Sequence, residues 1–232
     1  MLTDPTLVYA SKQGTVDPQL VEICLRDKRE TDADTARHSY ELFQTAAEGG
    51  SAFAMCFCTR FCQTGWGCSQ SNEEAFRWAQ RAADAGFAPG YFEIGRCYEE
   101  GIGVAKNLDQ ARRYYELANK GGFGFAAYHL ATMYHSGRFG SRDIPKAIDL
   151  AKRAYELKDS MAPCAIATWF EQGDGVIKNE REAVLWYERA AELGNFFASH
   201  RLSTAHAQGD LGLPRDEDMA RKYSARFDSQ LP

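Results

Sequence analysis

An internal repeat of 36 residues constrains this chain more than any other feature. Alanine recurs at that interval through the middle of the sequence, at Ala75, Ala111, Ala147 and Ala183. A period of about 20 to 50 residues is typical of stacked structural repeats. We therefore predict that one small supersecondary unit is repeated along the chain.

Two helical faces recur within each repeat. Trp78 is followed four residues later by Ala82, and Trp186 by Ala190, a spacing that places both side chains on one face of a helix. A second apolar series keeps the same 36-residue step, at Cys58, Ile94, Leu130, Ile166 and Leu202. Each repeat is therefore predicted to contain two amphipathic helices.

Glycines and capping residues mark the helix ends in the same register. The glycines predicted to end the first helix of each repeat are Gly65, Gly101, Gly137, Gly173 and Gly209. The residues predicted to cap the second helix are Thr35, Ser71, Asn107, Asp143, Asn179 and Asp216. These signals predict helices at 18–27, 35–48, 52–64, 72–85, 88–100, 108–120, 124–136, 144–157, 161–172, 180–193, 197–208 and 216–228, and no strand is required.

The residues that carry these columns resemble a known repeat. The run Gly173-Asp174-Gly175-Val176, followed by Asn179, Ala183, Trp186-Tyr187 and Gly194, resembles a Sel1-like repeat, as does the segment 88–118. The repeat at 124–158 departs from the pattern, because Arg138-Phe139-Gly140-Ser141 replaces the usual Gly-x-Gly-Val turn and Lys158 stands where glycine is expected. The resemblance implies an all-α fold, a right-handed α-solenoid (superhelix) of about five and a half 36-residue helix-turn-helix repeats, related to tetratricopeptide repeats.

The expected organisation is one continuous solenoid domain. Residues 1–50 form an N-terminal capping segment with a degenerate first repeat. Five Sel1-like repeats follow at 51–87, 88–123, 124–160, 161–195 and 196–228, and residues 229–232 form a short tail.

Charge and hydropathy exclude several classes of partner. The 27 Lys and Arg residues against 32 Asp and Glu give a net charge of -5, which disfavours nucleic acid. No stretch reaches the roughly 18 to 20 apolar residues that a membrane span requires. The first residues lack a basic segment followed by an apolar run, so we expect no secretory signal and a cytoplasmic location.

Four cysteines could suggest a metal site. Cys56, Cys58, Cys62 and Cys68 are close enough in sequence for thiolates to share a zinc ion. Three of them, however, occupy columns that are apolar in the other repeats, which favours buried structural residues. We predict no metal and no cofactor, and a zinc- or redox-responsive protein using Cys56 to Cys68 remains an alternative.

Catalysis is a second alternative. A nucleophilic enzyme needs a nucleophile beside a base that a third group orients, and the sequence shows no such set, so no catalytic residue is predicted. His135 or His200 would serve a hydrolase-type alternative. The motif Gly101-Ile102-Gly103 recurs in phase with the repeat and follows no strand, so we interpret it as an interhelix turn and not a phosphate loop.

By analogy with tetratricopeptide repeats, the first helix of each repeat is expected to line a concave groove. Positions without an evident packing role would contact a partner there, although Tyr128 has interhelix packing as an alternative. The predicted partner-binding residues are Phe53, Arg60, Gln63, Arg96, Glu99, Glu100, Phe125, Tyr128, His135, Glu171, Phe197 and His200.

The resemblance implies a non-catalytic scaffold that holds a partner protein or peptide in this groove. Sel1-like proteins include adaptors, regulators of secretion or envelope assembly, and immunity proteins of bacterial toxin systems. The most concrete expectation is therefore a bacterial cytoplasmic immunity or adaptor protein that neutralises or positions a toxin or secretion-system partner.

Overall fold

Helices form all the regular structure that the computed structural model describes, which covers residues 4–14, 16–25 and 32–230. Thirteen helices lie in these ranges: α1 (Pro5–Lys12), α2 (Pro18–Leu25), α3 (Ala33–Glu48), α4 (Ala52–Thr64), α5 (Asn72–Asp84), α6 (Ala88–Glu100), α7 (Leu108–Lys120), α8 (Gly124–Ser136), α9 (Ile144–Glu156), α10 (Met161–Gln172), α11 (Glu180–Glu192), α12 (Phe196–Gln208) and α13 (Glu217–Gln230). The predicted all-α class is confirmed, and α2 to α13 correspond to the twelve predicted helices. Residues 26 and 27 of the first predicted helix lie outside the described residues.

Helix α1 is the element that the repeat pattern does not predict. Asp4 caps it, since its Oδ1 accepts hydrogen bonds from the amides of Thr6 (2.9 Å) and Leu7 (3.2 Å). Pro5 occupies the first turn, where its fixed φ suits the helix and its missing N–H costs nothing. The local signal for α1 is thus Asp-Pro before an apolar pair, outside the 36-residue register.

The chain divides into two compact units, Leu2–Ala126 (the N-terminal unit) and Ala127–Pro232 (the C-terminal unit). In the N-terminal unit, α3 packs on α4, α4 on α5, α5 on α6 and α6 on α7. In the C-terminal unit, α9 packs on α10, α10 on α11, α11 on α12 and α12 on α13. From α3 to α7 and from α9 to α13, helices that are consecutive in the chain are therefore neighbours in space.

The predicted apolar columns form the interhelix contacts. The four repeated alanines are fully buried, as are Ile94, Leu130, Ile166 and Leu202. In the N-terminal unit, the ring of Phe43 lies 5.1 Å from that of Phe57 and 5.3 Å from that of Phe61, between centroids. Small residues in one column and large ones in the other let neighbouring helices pack closely.

Most of the predicted caps are confirmed. Ser71, Asn107, Asp143 and Asn179 each accept a hydrogen bond from the amide three residues later, at 3.0 to 3.2 Å. Asp216 likewise accepts from the amide of Met219, at 2.9 Å.

The cap predicted at Thr35 is wrong. Helix α3 begins earlier, and Asp32 caps it by accepting from the amides of Asp34 (3.0 Å) and Thr35 (2.9 Å). The Thr35 hydroxyl donates to Asp32 Oδ2 at 2.7 Å, so it reinforces the cap from inside the first turn. An aspartate within reach of these amides caps the helix as well as a threonine would, and the helix begins two residues earlier than predicted.

Glycine is required where the turn between the two helices of a repeat packs against the second helix of the preceding repeat. Gly103 has a φ of +67°, and a Cβ placed there would lie 2.2 Å from the carbonyl oxygen of Asn72. This contact supports the interpretation of Gly101-Ile102-Gly103 as an interhelix turn. At a second turn, Lys158 keeps the positive φ (69°) of the glycines in its column, among them Gly122 (82°).

Candidate protein-binding surface

One repeat position of the first helices changes from buried to exposed along the chain. Its members are Phe53, Pro89, Phe125, Met161 and Phe197. Phe53 and Pro89 are buried, Phe53 with 2% of its surface exposed, whereas Met161 is 36% and Phe197 54% exposed. The predicted partner-binding set therefore contains residues in different environments.

In the N-terminal unit, Arg60 binds groups of its own chain. Its Nε donates to Glu93 Oε1 (2.7 Å), while its two terminal nitrogens donate to Asp4 Oδ2 (2.5 Å) and to the Thr6 hydroxyl (2.6 Å). Burial alone would lower the pKa of Arg60, but the carboxylates of Glu93 and Asp4 more than offset this and raise it. The arginine that the sequence assigns to a partner thus joins α1 to α4 and α6.

The neighbouring predicted residues form a polar row on α4 and α6. Arg96 donates to Gln63 Oε1, and its Nε lies 4.0 Å from Oε1 of the exposed Glu100. Glu99 is buried and accepts a hydrogen bond from the Tyr115 hydroxyl at 2.5 Å. Burial and this hydrogen bond raise the pKa of Tyr115. Glu99 is thus engaged between helices, while Glu100 is the exposed member of the row.

The same glutamate–tyrosine contact recurs in the C-terminal unit. The Tyr187 hydroxyl donates to Glu171 Oε2 at 2.6 Å, in the repeat positions of Tyr115 and Glu99. Here the carboxylate is half-buried and also accepts from Arg201 at 2.6 Å, and Arg201 reaches Asp210 Oδ2 at 2.7 Å. Glu171 is therefore a fixed, partly accessible charge.

The side chain of His135 is buried against Trp169. Its ring stacks on Trp169 with a centroid distance of 4.2 Å and an interplanar angle of 5°, and its Nε2 lies 3.0 Å from the carbonyl oxygen of Asp174. Arg142 reaches Asp174 Oδ1 at 2.7 Å, and this hydrogen bond lowers the pKa of Asp174. The predicted partner-binding histidine thus helps to hold the turn after α10.

An exposed apolar cluster lies at the start of α10 and α12. We call it the aromatic patch, and it consists of Met161 (36% exposed), Phe196 (37%) and Phe197 (54%). The rings of Phe196 and Phe197 are 3.9 Å apart between centroids. Asn195 joins the two helices, because its Nδ2 donates to Ser160 O (2.9 Å) and contacts Met161 Sδ (3.3 Å). The exposed His200 follows Phe196 by one helical turn.

Comparison with known families places these residues in context. The family model described as the Sel1 repeat matches residues 31–51, 51–87, 88–123, 124–159, 161–195 and 197–226. The chain belongs to the Sel1 repeat family. Sel1 repeat proteins are generally protein-interaction scaffolds, and the predicted α-solenoid fold class is confirmed.

Solved structures share this Sel1 fold. A Sel1 repeat protein from Oxalobacter formigenes is 26% identical, with 85% of this chain and 78% of that chain covered and a TM-score of 0.65. Two immunity proteins from Pseudomonas aeruginosa, Pa5087 and PA5088, are 19% and 18% identical, each with 93% of this chain and 83% of its own covered, at TM-scores of 0.66 and 0.67. The comparison with curated proteins gives no match. In the described part of the chain, no helix is both long enough and apolar enough to span a membrane.

The two remaining predicted residues lie on α8. Phe125 is partly buried, with its ring centroid 5.1 Å from that of Phe92. Tyr128 is also partly buried, and burial raises its pKa. The partial burial of Tyr128 agrees with its packing alternative, and partner binding by either residue stays a prediction.

The clustered cysteines belong to the core of the N-terminal unit. Cys56, Cys58 and Cys62 are buried in the same apolar cluster as Phe43 and Phe57. Burial raises the pKa of Cys58 to about 12, and a thiol that is hard to ionise is a poor nucleophile and metal ligand. Among the described residues, no three His, Cys, Asp or Glu side chains are grouped so that they could hold a metal ion.

Sequence reasoning missed Phe196 and the role of α1. The repeat position that includes Phe53 passes through Phe197, and the adjacent Phe196 falls outside it even though both rings are exposed. The Phe-Phe pair directly after the helix cap Asn195 is the signal that could have identified it.

Proposed function

We propose that this Sel1 repeat protein holds a partner protein on the aromatic patch of its C-terminal unit. The observation that carries this proposal is the exposure of three large apolar side chains, Met161, Phe196 and Phe197, at two neighbouring helix starts. Single exposed apolar residues are ordinary on protein surfaces, whereas a contiguous group marks an interaction site. Aromatic residues and methionine are also enriched in the centres of protein interfaces.

Polar groups on the same two helices as the patch suit an interface rim. Glu171 is held by Arg201 and Tyr187, so a partner would meet this charge already oriented. A group that is fixed before binding loses little conformational entropy when the complex forms. His200, one turn beyond Phe196, adds an exposed ring. We assign partner contact to Phe197, His200 and Glu171 among the predicted residues.

The test compares two apolar residues of similar exposure in the same unit. Phe197→Asp places a charge in the patch, and Leu185→Asp places one on α11, where Leu185 is 47% exposed. We expect a stoichiometric partner, cross-linked and recovered from the native lysate, to be lost with Phe197→Asp and retained with Leu185→Asp. Circular dichroism checks that both variants keep the helical fold. A partner that survives both changes would contradict this location.

The finer proposal is a cytoplasmic immunity or adaptor protein that neutralises or positions a toxin or secretion-system partner. Its support is the fold shared with two immunity proteins over 93% of this chain. Co-expression with toxins encoded beside the gene tests it. We expect wild-type protein and the Leu185→Asp variant to restore growth, and Phe197→Asp to fail. Binding without rescue would favour the adaptor role over immunity.

We assign no catalytic or cofactor role to the described residues. The stacking of His135 on Trp169 and its contact with the Asp174 carbonyl support a structural role for that ring. The buried, weakly acidic thiols support the same interpretation for the cysteine cluster. Substrate turnover that His135→Ala abolishes without loss of folding would overturn this assignment.

A further inference from the structure

Helix α1 occupies the face of the N-terminal unit that the sequence predicts for a partner. Thr6, Leu7 and Ala10 of α1 are buried, and the last two belong to the same apolar cluster as Phe53. The hydroxyl of Tyr9 donates to the carbonyl oxygen of Gly121 at 3.0 Å. One short helix thus contacts groups from α4 to the turn after α7.

Helix α1 is held by specific polar and aromatic contacts, as a bound peptide would be. Its capping carboxylate, Asp4, accepts a hydrogen bond from one terminal nitrogen of Arg60, and its Thr6 hydroxyl accepts one from the other. The ring of Tyr9 makes edge contacts with Phe87 and Phe123, at centroid distances of 5.6 and 5.8 Å. The site therefore offers an arginine for a helix-capping carboxylate and, five residues further on, an aromatic slot with a hydrogen-bond acceptor.

Arg60 would still be held in the site without α1. Arg60 retains Glu93 as a partner, because Nε and one terminal nitrogen lie 2.7 and 2.6 Å from Glu93 Oε1. The other terminal nitrogen, which now binds Asp4, would then face an incoming carboxylate. Helix α1 has eight residues, and a helix of that length is unstable in water unless it packs against something.

We propose that α1 is a built-in occupant of a helix-binding site on the N-terminal unit, and that a partner segment of the same chemistry displaces it. Such a segment is a short helix with an aspartate N-cap, a leucine three residues later and an aromatic residue five residues later. This site is distinct from the aromatic patch, so the proposal does not depend on the function proposed above. Because α1 occupies the site in most molecules, a partner segment binds with an affinity that is reduced. The apparent Kd is the intrinsic Kd divided by the fraction of molecules in which the site is free.

The test supplies the α1 segment as a separate peptide. The probe is a fluorescent peptide with the sequence of residues 4–13, and the protein is the full chain, either wild-type or carrying Leu7→Ser with Tyr9→Ala to weaken its own α1. We expect the peptide to bind the double variant at least about 10-fold more tightly than the wild type by fluorescence anisotropy, because competition from α1 is reduced. Peptides with the Asp4→Asn or Tyr9→Ala change should lose at least about 10-fold in affinity, which is about 1.4 kcal/mol.

Two results would overturn the proposal. One is a folded double variant that binds the peptide no better than wild type does. The other is binding that is indifferent to both peptide changes. Where the double variant fails to fold, hydrogen exchange of the wild-type protein decides: faster exchange in α1 than in α4 supports a displaceable helix, and equal protection of the two helices overturns it.

Discussion

Phe53 and Phe197 occupy the same repeat position in the two units and have opposite environments. Phe53 is buried in a cluster that includes Leu7 and Ala10 of α1, whereas Phe197 is more than half exposed at the start of α12. Both residues lie at the start of a first helix, so the backbone does not account for the difference. The repeat determines where a side chain lies on its helix, whereas the elements packed around it, which for Phe53 are α3 and the cluster that includes α1, determine whether it meets solvent.

Truncating these two phenylalanines should give the largest contrast. We expect Phe53→Ala to lower the free energy of unfolding by about 3 to 5 kcal/mol, since it removes a buried ring and leaves a cavity. Phe197→Ala should change it by no more than about 0.5 kcal/mol, because the ring is largely in solvent. Urea unfolding followed by circular dichroism measures both. Similar losses in the two variants would mean that the patch is part of the folded core.

The arginines that bind a glutamate in each unit sharpen the comparison. Arg60→Met leaves the fully buried Glu93 without its main partner, and we expect a loss of about 3 kcal/mol. Arg201→Met removes a partner from Glu171, whose side chain is 23% exposed and keeps the Tyr187 hydroxyl, and should cost about 1 kcal/mol or less. Urea midpoints of the two variants test this order. A larger loss for Arg201→Met than for Arg60→Met would contradict the prediction that the Arg60–Glu93 pair contributes more to stability.

A matched pair of turn residues should give smaller changes of opposite sign. Gly122 and Lys158 share a repeat position and a positive φ, of 82° and 69°. Gly122→Ala should destabilise the protein by about 1 kcal/mol and Lys158→Gly should stabilise it by a similar amount, because a side chain is strained in this conformation. Thermal unfolding of both variants measures the effect. Lys158→Gly without any gain would show that the lysine side chain makes a compensating contact.

The smallest effect concerns the exposed ion pair of Asp174 and Arg142. The hydrogen bond from Arg142 lowers the pKa of Asp174, so its contribution to stability is present above about pH 4 and is lost as the pH falls through the lowered pKa. We expect the midpoint of Asp174 in an NMR titration to rise toward the ordinary value with Arg142→Ala, and partly with 1 M salt. A midpoint that neither change moves would remove Arg142 as the cause.

The sequence predicts the periodic part of this molecule well. Buried columns such as Ala75 and Ile94, and caps such as Asn107, follow from local spacing, which the structure reproduces. Helix α1 and its effect on Arg60 do not follow, because they depend on a contact between residues 54 and 56 positions apart in the chain. The same holds for His135, whose stacking on Trp169 depends on a neighbouring repeat. Periodicity reveals which face a residue lies on, but it does not reveal what covers that face.

The close approach at Gly103 has a consequence for engineering the chain. At Gly103, and again at Gly67, the space for a Cβ is taken by a carbonyl oxygen from the second helix of the preceding repeat, that of Asn72 and of Ala36 respectively. At these two turns of the N-terminal unit, the approach of adjacent repeats is therefore limited by backbone packed against backbone. A designer can thus exchange the outward-facing residues of these repeats, or graft a different binding sequence onto them, and keep these two close approaches as long as both glycines stay.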